Sequence, residues 1–353
     1  MTKGVRCAVA AAILFGASVP LSKGLLATIP PTTLAGLLYL GSGVGLALWR
    51  FVRTRGANSA APAAREAALS RRDWPWLGAA IALGGIAAPI LLLFGLRTTT
   101  ASTGSLLLNM EGVLTALLAW FLFHEHFDRR IAIGMAAIVA GGILLSWSPG
   151  ASTEKISWGA IAIVGACLGW AADNNLTRRV SAADPTEIAM WKGLVAGVVN
   201  LNLGLIVTPS PIQFSWLLAA TVGFFSYGLS LAAFVLALRH LGTARTGAYF
   251  STAPFVGVIF SLLFLGERPD AQFWIAAGLV GFGVWLHLTE QHEHEHTHEP
   301  MEHEHLHVHD AHHQHVHELD DPPGEPHSHP HRHEHLVHSH PHTPDLHHGH
   351  RHD

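Results

Sequence analysis

Cysteine is nearly missing: Cys7 and Cys167 are the only two among 353 residues, both inside apolar runs, which excludes a disulfide framework and a CxxC metal site. Charge is scarce as well. Asp, Glu, Lys and Arg make up 13% of the chain against 49% apolar residues, and most of those charges fall between apolar runs or in the last 62 residues. Before residue 292 only four of the 28 histidines occur, His124, His126, His240 and His287, all near the ends of apolar runs. No nucleophile and base therefore meet inside a run, which argues against an intramembrane enzyme. Nothing in the charge pattern points to a nucleic acid partner.

What is present divides into two solvents. Up to Gln291 the chain holds 19 Lys and Arg and 12 Asp and Glu; beyond it the counts are 2 and 13, with 24 histidines. The first part repeats apolar stretches of about 20 residues with short polar breaks, the length that crosses a bilayer core. Ten such segments are predicted, numbered in chain order: 5 to 27, 33 to 52, 74 to 96, 101 to 123, 130 to 148, 157 to 177, 187 to 207, 214 to 238, 244 to 265 and 271 to 289. Helices are required, because each segment must satisfy its backbone groups internally and membrane strands are about half as long with alternating polarity. The N-terminal run behind Lys3 and Arg6 resembles a signal peptide, yet comparable segments follow it throughout, so it is assigned as the first span.

Basic residues orient the chain. With the N-terminus in the cytoplasm, Lys3, Arg6, Arg50, Arg53, Arg55, Arg65, Arg71, Arg72, Arg129, Arg130, Arg178, Arg179, Arg239 and Arg245 fall inside. Lys23, Arg97, Lys155 and Arg268 fall outside, an asymmetry that the positive-inside rule converts into topology. An even number of spans then puts the C-terminal tail in the cytoplasm of a multi-pass plasma-membrane protein.

The stretch Leu96 to Glu125 aligns without gaps to Leu238 to Glu267 at a shift of 142, pairing Arg97 with Arg239 and Glu125 with Glu267. Five segments per half is an odd number, so the halves face opposite ways, as in many secondary transporters. The runs "FGASVPLSKGLL", "TASTGSLLLNMEGVLTALLAWFLFHE" and "RTGAYFSTAPFVGVIFSLLFLGE" resemble the EamA-type repeats of the drug/metabolite transporter superfamily over roughly residues 5 to 289. The resemblance implies an all-α integral membrane protein of ten helices in two inverted five-helix repeats, residues 1–148 and 149–291, around a central cavity. It further implies alternating access with a small metabolite or ion as cargo, and leaves a homodimer open. One departure is visible: segment 9 has Pro254 where the family often has proline, whereas segment 4 has Glu111 and Gly112 there.

Glu111 lies halfway along segment 4, near the expected midplane. A carboxyl group there costs about 2.5 to 3.5 kcal/mol on insertion scales, so it should face the protein interior or a wet cavity. It is the candidate for coupling a proton or meeting a cationic substrate; the bland alternative is a neutral group tying two helices. Trp170, Asp173, Asn174 and Asn175 form a polar step in segment 6, and Lys192 in segment 7 should lie at similar depth to pair with Asp173. Asn109, Asn200, Asn202, Tyr227 and Tyr249 are further polar groups that either line a cavity or bridge helices. Glu125 and Glu267, at segment ends, are expected as caps or loop ion pairs more than as gates.

Residues 292–353 place His at every second position, interleaved with Glu and broken by proline, unlike the uninterrupted run of an affinity tag. Such composition predicts a disordered tail that offers imidazoles to Zn, Ni, Co or Cu. His292, His294, His296, His298, His303, His305, His307, His309, His312, His313, His315 and His317 are the candidate ligands. No cofactor is required for transport. A divalent-metal exporter and a metal-responsive membrane receptor are the alternative readings.

Overall fold

The computed structural model describes residues 3–56, 69–123, 129–147, 157–180, 183–241, 246, 249–289, 293–298, 301–307, 327–333 and 336–341. Arg65, His124, Glu125, His126, Lys155, Arg245, His292, His309, His312, His313, His315 and His317 lie outside the described residues. Through Thr289 the described chain is helical between short turns, as lipid demands of a backbone that has no water to bond. Among the described residues, eight helices are long and apolar enough to cross a membrane: Gly4–Leu25, Pro31–Val52, Trp74–Thr98, Ala101–Leu118, Arg129–Ser146, Pro185–Val207, Phe214–Phe234 and Ala271–Leu288. They correspond to segments 1 to 5, 7, 8 and 10.

Segments 6 and 9 are helical over Trp158–Arg178 and Ala253–Phe264 without joining those eight. Asp173, Asn174 and Asn175 lower the hydropathy of the first, and the second is 12 residues long. The outer surface matches a lipid solvent: Leu263 and Phe264 are 72% and 73% exposed, far more than a water-soluble body of this size leaves open in adjacent residues. Trp74, Trp76, Trp147 and Trp158 are exposed at helix ends, where indole rings favour the headgroup boundary. The body is an all-helical, multi-pass membrane protein.

Glycine sets which helices touch. Segments 2 and 7 run antiparallel with their backbones in contact, Gly204 against Thr33, Gly36 against Leu201, Gly197 against Leu40 and Gly193 against Gly43. A Cβ at Gly193 would lie 2.6 Å from the Gly43 nitrogen, and backbone cannot step aside as a side chain can. Segments 5 and 10 pair the same way, Gly134 beside Gly283 and Gly141 beside Val280. In each pair one helix comes from the first half of the chain and one from the second.

Irregularities recur in matched places. Segment 3 widens into a π-helix at Ile81–Ala87 and segment 8 does so at Phe224–Leu229. Segment 4 breaks at Leu108 and Asn109 between the helices Ala101–Leu107 and Met110–Phe123, and segment 9 turns at Ser251 and Thr252 before Ala253–Phe264. This corrects one expectation. The irregularity that Pro254 suggested for segment 9 is also present in segment 4, which has no proline; there Asn109 folds back so that its backbone N–H and its side-chain amide both donate to the Leu106 carbonyl, at 3.1 and 3.0 Å.

The face that carries the N-terminus is here called the near face, and its opposite the far face. At the near face Arg50 bonds Asp184 at 2.7 Å and reaches Glu187 at 3.7 Å, while Arg179 stacks over Trp76 at 4.6 Å. At the far face the Gln213 amide donates to the Thr28 carbonyl at 2.9 Å and that of Gln272 to Leu144 and Trp147 at 2.6 and 2.7 Å.

Four stretches of the tail are described, as strands. Glu293–His298 pairs antiparallel with Leu336–Pro341, and Met301–His307 with His327–His333. The physical reason is periodicity: His at every second residue has the repeat of a pleated strand.

Two substitutions test the packing. Gly193→Val should lower the thermal midpoint of the purified protein by an overpacking cost of about 1–3 kcal/mol or abolish its recovery. Gly278→Ala, where a Cβ meets nothing within 4 Å, should be neutral or raise it. Equal behaviour of the two would contradict a backbone contact between segments 2 and 7.

Candidate functional site

Segment 4 is broken where its acid sits. Glu111 occupies the first turn of Met110–Phe123, and its backbone N–H reaches back to the Leu108 carbonyl at 3.0 Å. At the break the Leu106 carbonyl accepts from the backbone N–H and side-chain amide of Asn109, and the Leu107 carbonyl accepts from the buried Cys167 thiol of segment 6 at 3.6 Å. The Glu111 carboxylate accepts from the Asn174 amide at 2.8 Å, and that amide also reaches the Thr115 hydroxyl at 3.4 Å. Asn174 is exposed and Glu111 half-buried, so the pair is not sealed inside the protein.

Asp173 and Lys192 meet, as their depths suggested. The Lys192 ammonium lies 2.6 Å from both Asp173 oxygens, and the Thr177 hydroxyl donates to one of them at 2.8 Å. Asp173 is 6% exposed at its side chain, so its charge is offset by one ammonium and one hydroxyl within a nearly dry contact. That contact depends on Gly84, where a Cβ would come within 2.0 Å of the Asp173 carboxylate.

The π-helix of segment 3 is the hub of this centre. A widened turn leaves carbonyls without their usual partners, and side chains from three other segments supply them. The Tyr39 hydroxyl and the Trp170 indole both donate to the Gly84 carbonyl at 2.9 Å, and the Asn200 amide donates to Gly85 at 3.0 Å. The Asn200 amide oxygen is buried without a partner. Tyr39, Asp173 and Glu111 lie within electrostatic reach of one another, as do Glu111 and Lys192. From Tyr39 a row of rings continues through Tyr227 at 5.6 Å, Phe15 at 5.8 Å, Phe250 at 5.3 Å and Phe234 at 4.9 Å.

Of the expected site residues, Glu111, Asn109, Trp170, Asp173, Asn174, Lys192 and Tyr227 gather around this centre. Tyr249 does not join: it is exposed beside the turn of segment 9, and no contact among the described residues links its ring to Glu111. Asn202 turns onto the Val198 carbonyl one helical turn earlier and acts within its own helix, whereas the Asn175 amide donates to Ala171 at 2.9 Å and across to the Thr115 carbonyl of segment 4 at 3.3 Å, joining the two helices beside Glu111. Sequence reasoning missed Tyr39, Gly84 and Phe15. Tyr39 is one of three tyrosines in the chain, and that rarity was the only signal available. Among the described residues whose side chains are placed, no three His, Cys, Asp or Glu side chains stand close enough to hold a metal ion. The paired strands of the tail set His303, His305 and His307 opposite His331, His329 and His327 in register.

Comparison with known proteins gives the same direction throughout. The family profile described as "EamA-like transporter family" matches residues 2–147 and 157–289. An "Uncharacterized transporter" of Methanothermobacter thermautotrophicus is 30% identical over 77% of this chain and 81% of its own length. A "Probable terminal-alkyne amino-acid exporter" of Streptantibioticus cattleyicolor is 26% identical over 61% of this chain and 73% of its own. A "Probable 4-amino-4-deoxy-L-arabinose-phosphoundecaprenol flippase subunit" of Pseudomonas paraeruginosa is 38% identical over 34% of this chain and 92% of its own. A crystal structure at 16% identity superposes with a TM-score of 0.58 over 81% of this chain and 95% of that one, which is a likeness of fold.

The ion pair makes a direct test. Asp173→Asn alone strands a buried ammonium and Lys192→Met alone strands a buried carboxylate, each expected to cost about 3–5 kcal/mol. Asp173→Asn combined with Lys192→Met should recover most of that stability in thermal unfolding of the purified protein. An additive double variant would show that the two groups do not compensate one another.

Proposed function

We propose, from the premise that the chain belongs to the EamA-like transporter family, that it is a secondary transporter moving a small metabolite or cation by alternating access, with Glu111 as the group that carries the coupled proton or meets the cargo's charge. One observation carries this reading. Asp173 takes the Lys192 ammonium at 2.6 Å from both of its oxygens, which leaves Glu111 with a neutral amide as its hydrogen-bond partner. A carboxylate so placed in a membrane interior is stable when a proton neutralises it or when a cation lies beside it. Exchange of the two is the elementary step of coupled transport.

The frame of this reading is ten helices in two inverted five-helix repeats, residues 1–148 and 149–291, in the plasma membrane with both termini cytoplasmic. It is supported by the repeat at a shift of 142, the antiparallel contacts of segments 2 with 7 and 5 with 10, and the matched π-helices and helix breaks. Discontinuous helices near the middle of the bilayer are where such proteins build binding sites, because freed backbone groups and half-helix ends face the cargo. The names of two relatives, an amino-acid exporter and a flippase for an amino-sugar lipid, both put an amine on the cargo, the chemistry that a solitary carboxylate matches.

Reconstituted protein in vesicles, given a panel of small amines, amino acids and Zn, Ni and Co ions with and without a pH gradient, tests the reading. Wild-type protein should move at least one amine with a rate that depends on the gradient, and Glu111→Gln should lose that dependence while keeping its fold. Gradient-dependent transport that survives in Glu111→Gln removes the coupling role.

The tail supports a second, separable reading: divalent metal bound by cytoplasmic imidazoles. It rests on 24 histidines in 62 residues and on the His-to-His register of the paired strands. Bound metal should leave as pH falls through the free imidazole value of about 6.5, because protons and metal compete for the same nitrogen. Truncation after Gln291 should abolish zinc binding measured by calorimetry. Unchanged amine transport with a lost metal response would assign the tail to sensing, and lost metal export would assign metal as cargo.

A further inference from the structure

The far face holds a pair of opposite charges that the site around Glu111 does not use. Glu267 follows the end of Ala253–Phe264, where Gly266 takes a φ of 64°, the left-handed turn that glycine adopts without strain as a helix stops. Its carboxylate does not meet a side-chain cation by hydrogen bond. One oxygen accepts from the Ala101 N–H at 2.7 Å and the other from the Ser102 N–H at 2.9 Å, 166 and 165 residues away in the chain. These are orphan donors of the first turn of Ala101–Leu107, and Thr100 supplies the usual side-chain oxygen to the next one, Thr103, at 3.2 Å.

Lys23 grips the other side of the same turn. Its ammonium donates to the carbonyl of Leu96 and, at 2.9 Å, to that of Thr99, groups that segment 3 leaves unpaired where it ends. It also lies within electrostatic reach of Glu267. The turn from residue 97 to 101 is thus held by a cation on its carbonyls and an anion on its amides, from segments 1 and 9. Below it the half-helix Ala101–Leu107 is seated directly on Ala253–Phe264: a Cβ at Gly257 would come within 2.5 Å of the Ser105 hydroxyl, which is buried and has no partner.

The half-helix so held ends at Leu107, and only Leu108 and Asn109 separate it from the helix that carries Glu111. We propose that Glu267 and Lys23 are a latch that holds the far face shut by clamping the 97–101 turn, and that release of this clamp is the step that exposes Glu111 to that face. The inference rests on the alternating-access reading above for its purpose and on the far-face contacts alone for its mechanics. Charge suits the task. The anion sits at the positive end of a short helix and the cation at the negative end of segment 3, so both attractions act across the joint and vanish when it opens.

The test separates those two dependences. In full-length protein reconstituted in vesicles, a thiol placed at Ser105→Cys, with Cys7 and Cys167 replaced by serine, reports opening through its rate of modification by a membrane-impermeant reagent added at the far face. Glu267→Gln keeps the shape but presents at most one acceptor to two donors, and loss of such a cap should raise the modification rate about fivefold, within a range of about 2- to 30-fold. Lys23→Met should raise it as well and serves as the readout if Glu267→Gln is not recovered folded. A rate unchanged in either folded variant overturns the latch whatever the transport assays show. A raised rate in vesicles that move none of the tested cargoes would keep the latch and leave the transport reading to fall by itself.

Discussion

A backbone in lipid has no water to fall back on, and where segments 3 and 4 and the turn between them depart from a regular helix, side chains bond to the irregular backbone. The π-helix at Ile81–Ala87 is answered by Tyr39, Trp170 and Asn200, the break after Leu107 by Asn109 and Cys167, and the ends at 97–101 by Lys23 and Glu267. These answers come mostly from distant segments, so each irregularity is also a cross-link. The polar centre and the far-face joint are the two largest collections of them. Regular helices elsewhere, such as the glycine-contacting pairs, need no such help and form the frame against which irregular segments can shift.

Charge follows the same logic. A solitary buried ion is expensive, so Asp173 and Lys192 come as a pair with a hydroxyl attached, and Gly84 is small because the pair must lie against the π-turn. Glu111 breaks the pattern, half-buried and bonded to an exposed amide instead of a cation. A protein that only needed to fold would gain by replacing such a group with leucine. Its cost is explained if the group must be neutral at one stage of a cycle and charged or cation-bound at another, which is the basis of the role assigned to it.

Much of the frame was legible from the chain alone because lipid makes length and polarity decisive. Eight of the ten expected segments emerge as long apolar helices, and Glu111, Asp173 and Lys192 were conspicuous simply as ions where ions are costly. Depth along a helix was enough to pair Asp173 with Lys192. Direction around a helix was not, since segments apolar on all sides carry no face signal, and so Tyr39 and Phe15 went unnoticed while Tyr249 was placed with the site. The break in segment 4 was hidden because Asn109 makes it without proline or glycine at the bend. In the tail, composition argued for disorder, while the period of two in the same residues favours the paired strands that form.

The halves repeat in shape but not in chemistry, and the difference bears on how such a protein would work. Segment 4 breaks just before Glu111, and segment 9, its counterpart, breaks just before Ala253 and Pro254, which carry no charge. Inverted halves, as proposed above, would offer two faces of similar geometry, so geometry alone would favour neither direction. On the role proposed for Glu111, a carboxyl group in one half only would make movement of segment 4 depend on protonation and cargo, while Ala253 and Pro254 in segment 9 carry no charge. Glu267 then reaches from the second half to the first. On this view the second half supplies the hold and the first half supplies the charge that decides when the hold is released.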